Sequence, residues 1–252
     1  MIESLCTLAE IKLDQHTFKA LELKDENFET LKNILVSEFS ETYLSKASFE
    51  RTMTLLGQQA AYSKLKSKFP TGKKLRSGDV GEVISRTYIE KHLDYVVPIK
   101  KLQWRDHREM AMRGDDVIAI KIDGDDIRFI KGEAKSVQSL NNKTLAEARK
   151  ELDQHDGKPS PHSLDFIIER LHDIGNEELA EKLEVHKHHK RIRKQDVKHL
   201  LFVFTNSNPN LLQKTAFEAY TGDFCQISVG LKTKNHQEFI TTVFEELNNQ
   251  YE

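Results

Sequence analysis

Two strand-like runs, residues 116–122 and 127–135, flank an Asp123-Gly124 turn signal and read as a β-hairpin. If residue 122 faces 127, paired positions sum to 249 and Asp116 lies opposite Glu133. A two-residue loop, 124–125, or a four-residue loop, 123–126, gives that register. A three-residue loop shifts it and sets Asp115 opposite Glu133 instead. Alternation favours Asp116, because Val117 and Ala119 then face away from the carboxylate side. Glu133 and Lys135 project together, with Asp116 beside them. Directly opposed like charges destabilise a sheet, since their Cβ atoms sit only ~5 Å apart. A divalent cation held between the carboxylates removes that penalty, so the pattern has the geometry of a metal site. Ile118 and Ile120 share the carboxylate side, while Ile130, Gly132 and Ala134 occupy the other. That distribution predicts a sheet covered on both faces. The competing picture is an exposed polar face with Lys135 in a cross-strand ion pair worth less than ~1 kcal/mol.

The rest of the chain reads as mixed α/β. Residues 17–45 give strand-like and helical pieces, and 47–68 a helix ending before Pro70. Periodicity predicts a helix from Asp79 to about Leu93 with Val80, Val83, Ile84 and Tyr88 on its apolar face. A strand over 95–102 follows, then a polar loop from Trp104 to Arg113, and then the hairpin. Helices are expected at 144–154, 163–173 and 176–185, with Asp156-Gly-Lys-Pro-Ser-Pro161 as a breaker. His199–Phe204 and Phe224–Leu231 read as buried strands, and 236–249 as a closing helix. The expected organisation is an N-terminal strand and helix extension, residues 1–70, packed on a core of 71–252. That core carries a helical insertion at about 156–198.

Composition narrows the function classes. No apolar run reaches the ~20 residues of a membrane-spanning helix, and no secretory signal is visible. Cys6 and Cys225 stand far apart without CxxC spacing, which suits a reducing cytoplasm and excludes a cysteine zinc site. With 38 Lys and Arg against 40 Asp and Glu, the chain lacks the basic field of an autonomous tight DNA binder. Its charge is uneven. Residues 64–76 carry six positive charges and no acidic residue, and 186–194 carry five with three histidines. Either patch suits phosphate contacts, and each suits a solvated face at least as well. His186, His188 and His189 lie among lysines and arginines that oppose cation binding, so a solvated segment is expected there. His107 reads as a surface histidine, and the lone Trp104 as packing on the core edge. Gly72-Lys73-Lys74 lacks the upstream glycine of a phosphate loop, so no ATP site is expected.

The order helix 79–93, strand 95–102, hairpin 116–135, helix 144–154 resembles the α-β-β-β-α core of the PD-(D/E)xK nuclease superfamily, with strand 199–204 as the fourth strand. The Asp at the start of the second strand and the Glu-x-Lys of the third match Asp116 and Glu133-Ala134-Lys135, and a helical Glu matches Glu82. More narrowly, Gly81-Glu82, Arg113-Gly114-x-Asp116, Gly132-Glu133-Ala134-Lys135 and Asp165-Phe166 resemble the HamA family, nuclease subunits of Hachiman antiphage defence. The resemblance is best over about residues 76–170. It implies a restriction-endonuclease-like α/β fold, metal-dependent DNA cleavage, and an ATP-using helicase partner of the HamB type. It further implies that Asp116 and Glu133 hold Mg²⁺, or Mn²⁺ in its place, with the Ala134 carbonyl as a third ligand. Lys135 would orient water or offset charge on the phosphoryl group, and Glu82 would complete the site. Glu82 also stands three residues after Asp79, the spacing of a capping box, so a helix-cap role competes with a metal role. A stand-alone restriction-type endonuclease and a non-catalytic DNA-binding subunit with a nuclease fold remain as alternatives.

Overall fold

A computed structural model describes residues 1–124 and 126–251 of the chain. Residue 125, on which the choice of hairpin loop falls, lies outside the described residues. The chain opens with a hairpin, β1 (Cys6–Leu13) and β2 (His16–Leu23), and continues into α1 (Phe28–Tyr43). Two short helices follow, α2 (Lys46–Leu56) and α3 (Gln58–Lys66). They correct the expectation of one helix over 47–68. Gly57 between them adopts φ +86°, a left-handed conformation that ends the first helix and that glycine reaches without a Cβ penalty.

Helix α4 (Lys73–His92) begins six residues before the predicted start, because its polar first turns lack an apolar stripe. The segment after it also departs from expectation. Residues 95–102 do not form a strand; a single bridge, Val96 with Ile120, is all that pairs. Tyr95, Val97 and Ile99 alternate into the core as a strand would, yet Pro98 has no N–H to give a ladder. The chain instead turns through Lys101–Trp104 as one 3₁₀ segment.

The hairpin then forms as β3 (Val117–Asp123) and β4 (Asp126–Val137). Val117 pairs with Gly132 and Ile122 with Ile127, the register read from the sequence. Helices α5 (Asn142–Asp153), α6 (Pro161–Asp173) and α7 (Glu177–Val185) precede strand β5 (Val197–Thr205). The starts of α5 and α6 are encoded locally. The Asn141 side chain accepts from the Thr144 N–H at 2.9 Å, and Ser160 accepts from Ser163 at 3.1 Å with Pro161 beginning α6. The chain closes with α8 (Leu212–Glu218), β6 (Cys225–Lys232) and α9 (His236–Asn249).

The six strands make one mixed sheet in the order β1-β2-β6-β5-β4-β3. Its central strands β6, β5 and β4 are parallel, while antiparallel hairpins form both edges. Helices cover both faces, which explains the nearly unbroken apolar run of β5. On one face Val117, Ala119, Ile130, Phe202 and Phe204 share a core with residues of α1, α4 and α9. On the other, Ile118, Ile120 and Phe129 pack with Leu164, Ile168 and Leu171 of α6. β1 and β2 extend the sheet beyond β6, and Leu21 and Leu23 of β2 belong to the first of these cores. No helix among the described residues is long and apolar enough to cross a membrane.

Candidate functional site

Strand register brings the hairpin carboxylates together. Asp116 precedes β3 by one residue and stands at the position opposite Glu133. Its Oδ2 accepts from the Ala134 N–H at 3.1 Å, so a side chain continues the ladder where the strand stops. Lys135, two residues beyond Glu133 on the same side of β4, donates from Nζ to Glu133 Oε1 at 2.6 Å. Asp116, Glu133, Ala134 and Lys135 thus meet at one end of the sheet edge.

Glu82 approaches from α4. A Cβ on Gly81 would lie 3.0 Å from Ser136 Cβ, so the glycine lets the helix press onto β4 next to the site. Glu82 is not a helix cap. α4 starts at Lys73, which places Asp79 and Glu82 inside the helix rather than at its end. Asp79 is committed elsewhere: Arg105 holds it with Nη1 at 2.8 Å and Nη2 at 2.5 Å, and the Tyr43 hydroxyl donates at 2.6 Å. That buried pair ties the 105–113 loop to α4.

The ambiguity between the two adjacent aspartates resolves by contact. Asp115 accepts from the Ser160 N–H at 2.8 Å and pairs with the buried Lys131 at 3.4 Å. Burial works against its charge, but the Ser160 N–H and Lys131 outweigh it and hold Asp115 below the usual carboxylate range. Asp115 anchors the start of α6 to β4, leaving Asp116 to face Glu133.

Lys101 is the site residue that sequence reasoning missed. Its Nζ lies 3.5 Å from Glu82 Oε2 and 3.8 Å from Asp116 Oδ1, and donates to the Asp115 carbonyl at 3.0 Å. It sits in the stretch misread as a strand, and a lysine beside Lys100 carries no signal that separates it from a solvated one. The ammonium bridges two carboxylates that come from different elements.

The electrostatics report a shortage of positive charge. Burial pushes Glu82 up to about 7, against the pull of Lys101 and with Asp116 and Asp79 adding to the rise. Burial and then Asp116 push Glu133 up to about 8, although Lys135 draws it down. Lys101 and Lys135 lose hydration on burial, yet both are raised above the ordinary lysine value by the carboxylates around them. An all-oxygen donor set with repelling carboxylates suits Mg²⁺, which takes oxygen ligands. Glu82, Asp116 and Glu133 are nonetheless held by their lysines. Among the described residues no three acidic, histidine or cysteine side chains are arranged to hold a metal ion.

The remaining candidates fall outside the site. Among the three clustered histidines, His188 and His189 are exposed as expected, but His186 is buried against Phe129. Its position corrects the reading of a wholly solvated segment: Val185, His188 and His189 reach solvent while one ring turns inward. His107 is exposed, and Trp104 is half-buried with the Arg170 guanidinium 4.7 Å above its ring. Asp165 pairs with Lys187, and its neighbour Phe166 lines a cavity beside the carboxylates.

Comparison with known proteins agrees with the motif pattern. A curated relative, Hachiman protein HamA of Bacillus cereus, is 26% identical over 186 residues, covering 74% of this chain. The match spans 66% of that relative, a little under two thirds of its length. The HamA family model matches residues 2–247, and the chain therefore belongs to the HamA family.

Proposed function

We propose that this chain is a metal-dependent DNA nuclease, the effector of a Hachiman defence system, built on a PD-(D/E)xK core. The observation that carries the reading is the set Asp116, Glu133 and Lys135 at one hairpin end, with Glu82 facing it from α4. Support for the defence assignment comes from the family and from the name of the Bacillus cereus relative. The helicase partner follows only from the family resemblance.

In this reading Asp116, Glu133 and Glu82, which stand paired with Lys101 and Lys135 rather than converged, would turn from those lysines to hold a Mg²⁺ ion with the Ala134 carbonyl. When bound, the ion supplies Lewis acidity and charge neutralisation at a phosphodiester. Lys135 donates to the attacking water or to a phosphoryl oxygen, since its three N–H bonds exceed what Glu133 alone uses. Lys101 neutralises Glu82 and Asp116 while the site is empty of substrate, and remains as a donor to phosphate when it is filled. Burial raises Glu82 in the metal-free chain, and a bound cation would draw it back to the ionised form that a ligand needs. The near-balance of charge over the chain favours delivery of DNA by another subunit.

The test is loss of linear DNA on incubation of the chain with Mg²⁺, alone and with the neighbouring helicase and ATP. Glu133→Gln and Lys135→Ala should each abolish it. Cleavage that persists in both variants contradicts the site. Cutting at one defined sequence without ATP would point to a stand-alone restriction-type enzyme. One observation favours a second reading, a non-catalytic subunit: the carboxylates already have lysine partners. Such a subunit binds DNA equally in Mg²⁺ and EDTA and yields no product.

A further inference from the structure

Two basic stretches look alike in the sequence and differ in the folded chain. In 186–194 four of the five cations are answered by carboxylates. Lys187 pairs with Asp165, Lys190 with Asp126 at 3.6 Å, Arg193 with Asp196 at 2.8 Å and Lys194 with Asp223 at 2.6 Å. In 64–76 none of the six is paired with a carboxylate among the described residues. Lys64 reaches the Ser48 and Thr52 hydroxyls at 3.0 and 3.1 Å, Lys68 the Arg105 carbonyl at 3.4 Å, and Arg76 the Pro70 carbonyl at 2.8 Å. Lys73 and Lys74 are exposed and make no polar contact among the described residues. Glu109, the carboxylate at that turn, is committed elsewhere. It accepts from the Thr71 and Gly72 N–H groups at 2.7 and 3.3 Å and pairs with Arg108 at 3.8 Å.

Nothing in the fold calls for positive charge at that place. Lys73, Lys74 and Arg76 stand at the start of α4, whose first turn carries no acidic residue. The free N–H groups there give the helix end a partial positive charge, so cations are repelled rather than held. Charge that opposes its own helix and lacks an internal partner is matched by an anion from outside. The stretch also leads to the candidate site. Ser77, the next residue on α4, donates to the carbonyl of Ser136 at 2.9 Å, and Ser136 follows Lys135 in β4. From Lys74 to Glu82 the helix axis advances about 12 Å, the length of three to four base pairs. An acidic protein face would satisfy the same charges. A nucleic-acid backbone satisfies them and continues into a site that takes a phosphodiester.

We infer that residues 64–76 form the surface on which the phosphate backbone of DNA lies as it enters the candidate site, with Lys73 and Lys74 as its principal contacts. The inference rests on the nuclease reading of that site and adds where the substrate is gripped. The stretch 186–194, its charge largely neutralised within the chain, takes no part.

Fluorescence anisotropy of a short labelled DNA duplex with the full chain in EDTA, followed across salt concentration, tests the idea. The unaltered chain should bind at about 50 mM salt with a Kd below about 10⁻⁴ M. Lys73→Gln together with Lys74→Gln should weaken binding by about tenfold and flatten the slope of log K against log salt by about 2. Glutamine there removes a repulsion at the helix end, so the double variant should fold. Lys187→Gln together with Lys194→Gln removes the same net charge and should leave the affinity within about twofold. No binding at low salt, or equal losses in the two double variants, would overturn the inference. An unchanged affinity in the first double variant would also overturn it, and would assign the stretch to an acidic protein face instead. EDTA keeps metal and cleavage out of the readout. A chain that binds DNA through Lys73 and Lys74 and never cuts it contradicts the nuclease reading alone; one that cuts DNA but binds it equally well without those lysines contradicts the gripping surface alone.

Discussion

The sheet ends in an antiparallel hairpin at each edge, and the two hairpins treat charge in opposite ways. At the β1–β2 edge most of β1 is exposed, and its charges pair in solvent, as Lys12 does with Glu10 at 3.5 Å. At the β3–β4 edge the turn end keeps an exposed pair, Arg128 with Asp123, but farther along helices cover both faces, and Lys131 and Glu133 are buried. Exposed pairs of the first kind contribute little, because water already solvates each partner. Buried charges of the second kind persist only with partners, and here the partners fall short: Glu82 and Glu133 both sit well above the ordinary carboxylate value. The difference teaches that hairpin architecture alone does not make a site. Covering both faces of a charged edge does.

The largest test of that contrast is Arg105→Ala. It leaves Asp79 buried without its cation and should cost about 3–5 kcal/mol in chemical denaturation. Next comes Glu133→Gln in EDTA. The folded chain holds a proton on Glu133 up to about pH 8, whereas the unfolded carboxyl loses it near its ordinary 4.5. The folded state therefore binds more protons across that window, and stability falls as pH rises through it. The glutamine variant should be about 4 kcal/mol more stable at pH 8 and match the unaltered chain below pH 4. The acid side runs the other way. Burial lowers His199 and His236 to about 4, so unfolding takes up protons below 6.5 and stability falls from there toward pH 4 in both proteins.

Smaller still is Gly81→Ala. Alanine is the better helix former, but its Cβ meets Ser136, and overpacking against β4 should leave a net loss of about 1 kcal/mol. Cleavage should fall with it, as α4 carries Glu82 away from the hairpin. At the opposite edge, Leu8→Thr on exposed β1 should change stability by no more than about 0.5 kcal/mol. A large loss there would erase the contrast between the edges.

What the sequence revealed depended on how each signal is carried. Alternation in Val117–Ile122 and Ile127–Lys135, joined by Asp123-Gly124, was enough for the register, because a slip by one residue would move every apolar side chain to the wrong face. The same logic failed at 95–102, where alternation persists but Pro98 denies the ladder. β1 escaped notice because an edge strand open to water need not alternate, and α8 because seven residues hold too few turns for a stripe. Lys101 was illegible for a different reason. Its role is set by long-range packing of the 97–101 segment against α4, which no local pattern records.

The proposal that Glu82, Asp116 and Glu133 would together hold one divalent cation has a direct test. Electron paramagnetic titration of the chain with Mn²⁺, repeated with Glu133→Gln, addresses it without DNA or a partner. One site per chain, displaced by Mg²⁺ and weakened at least about tenfold in the variant, is the predicted result. Free Mn²⁺ signal undiminished at millimolar metal, or binding unchanged by the substitution, would contradict it.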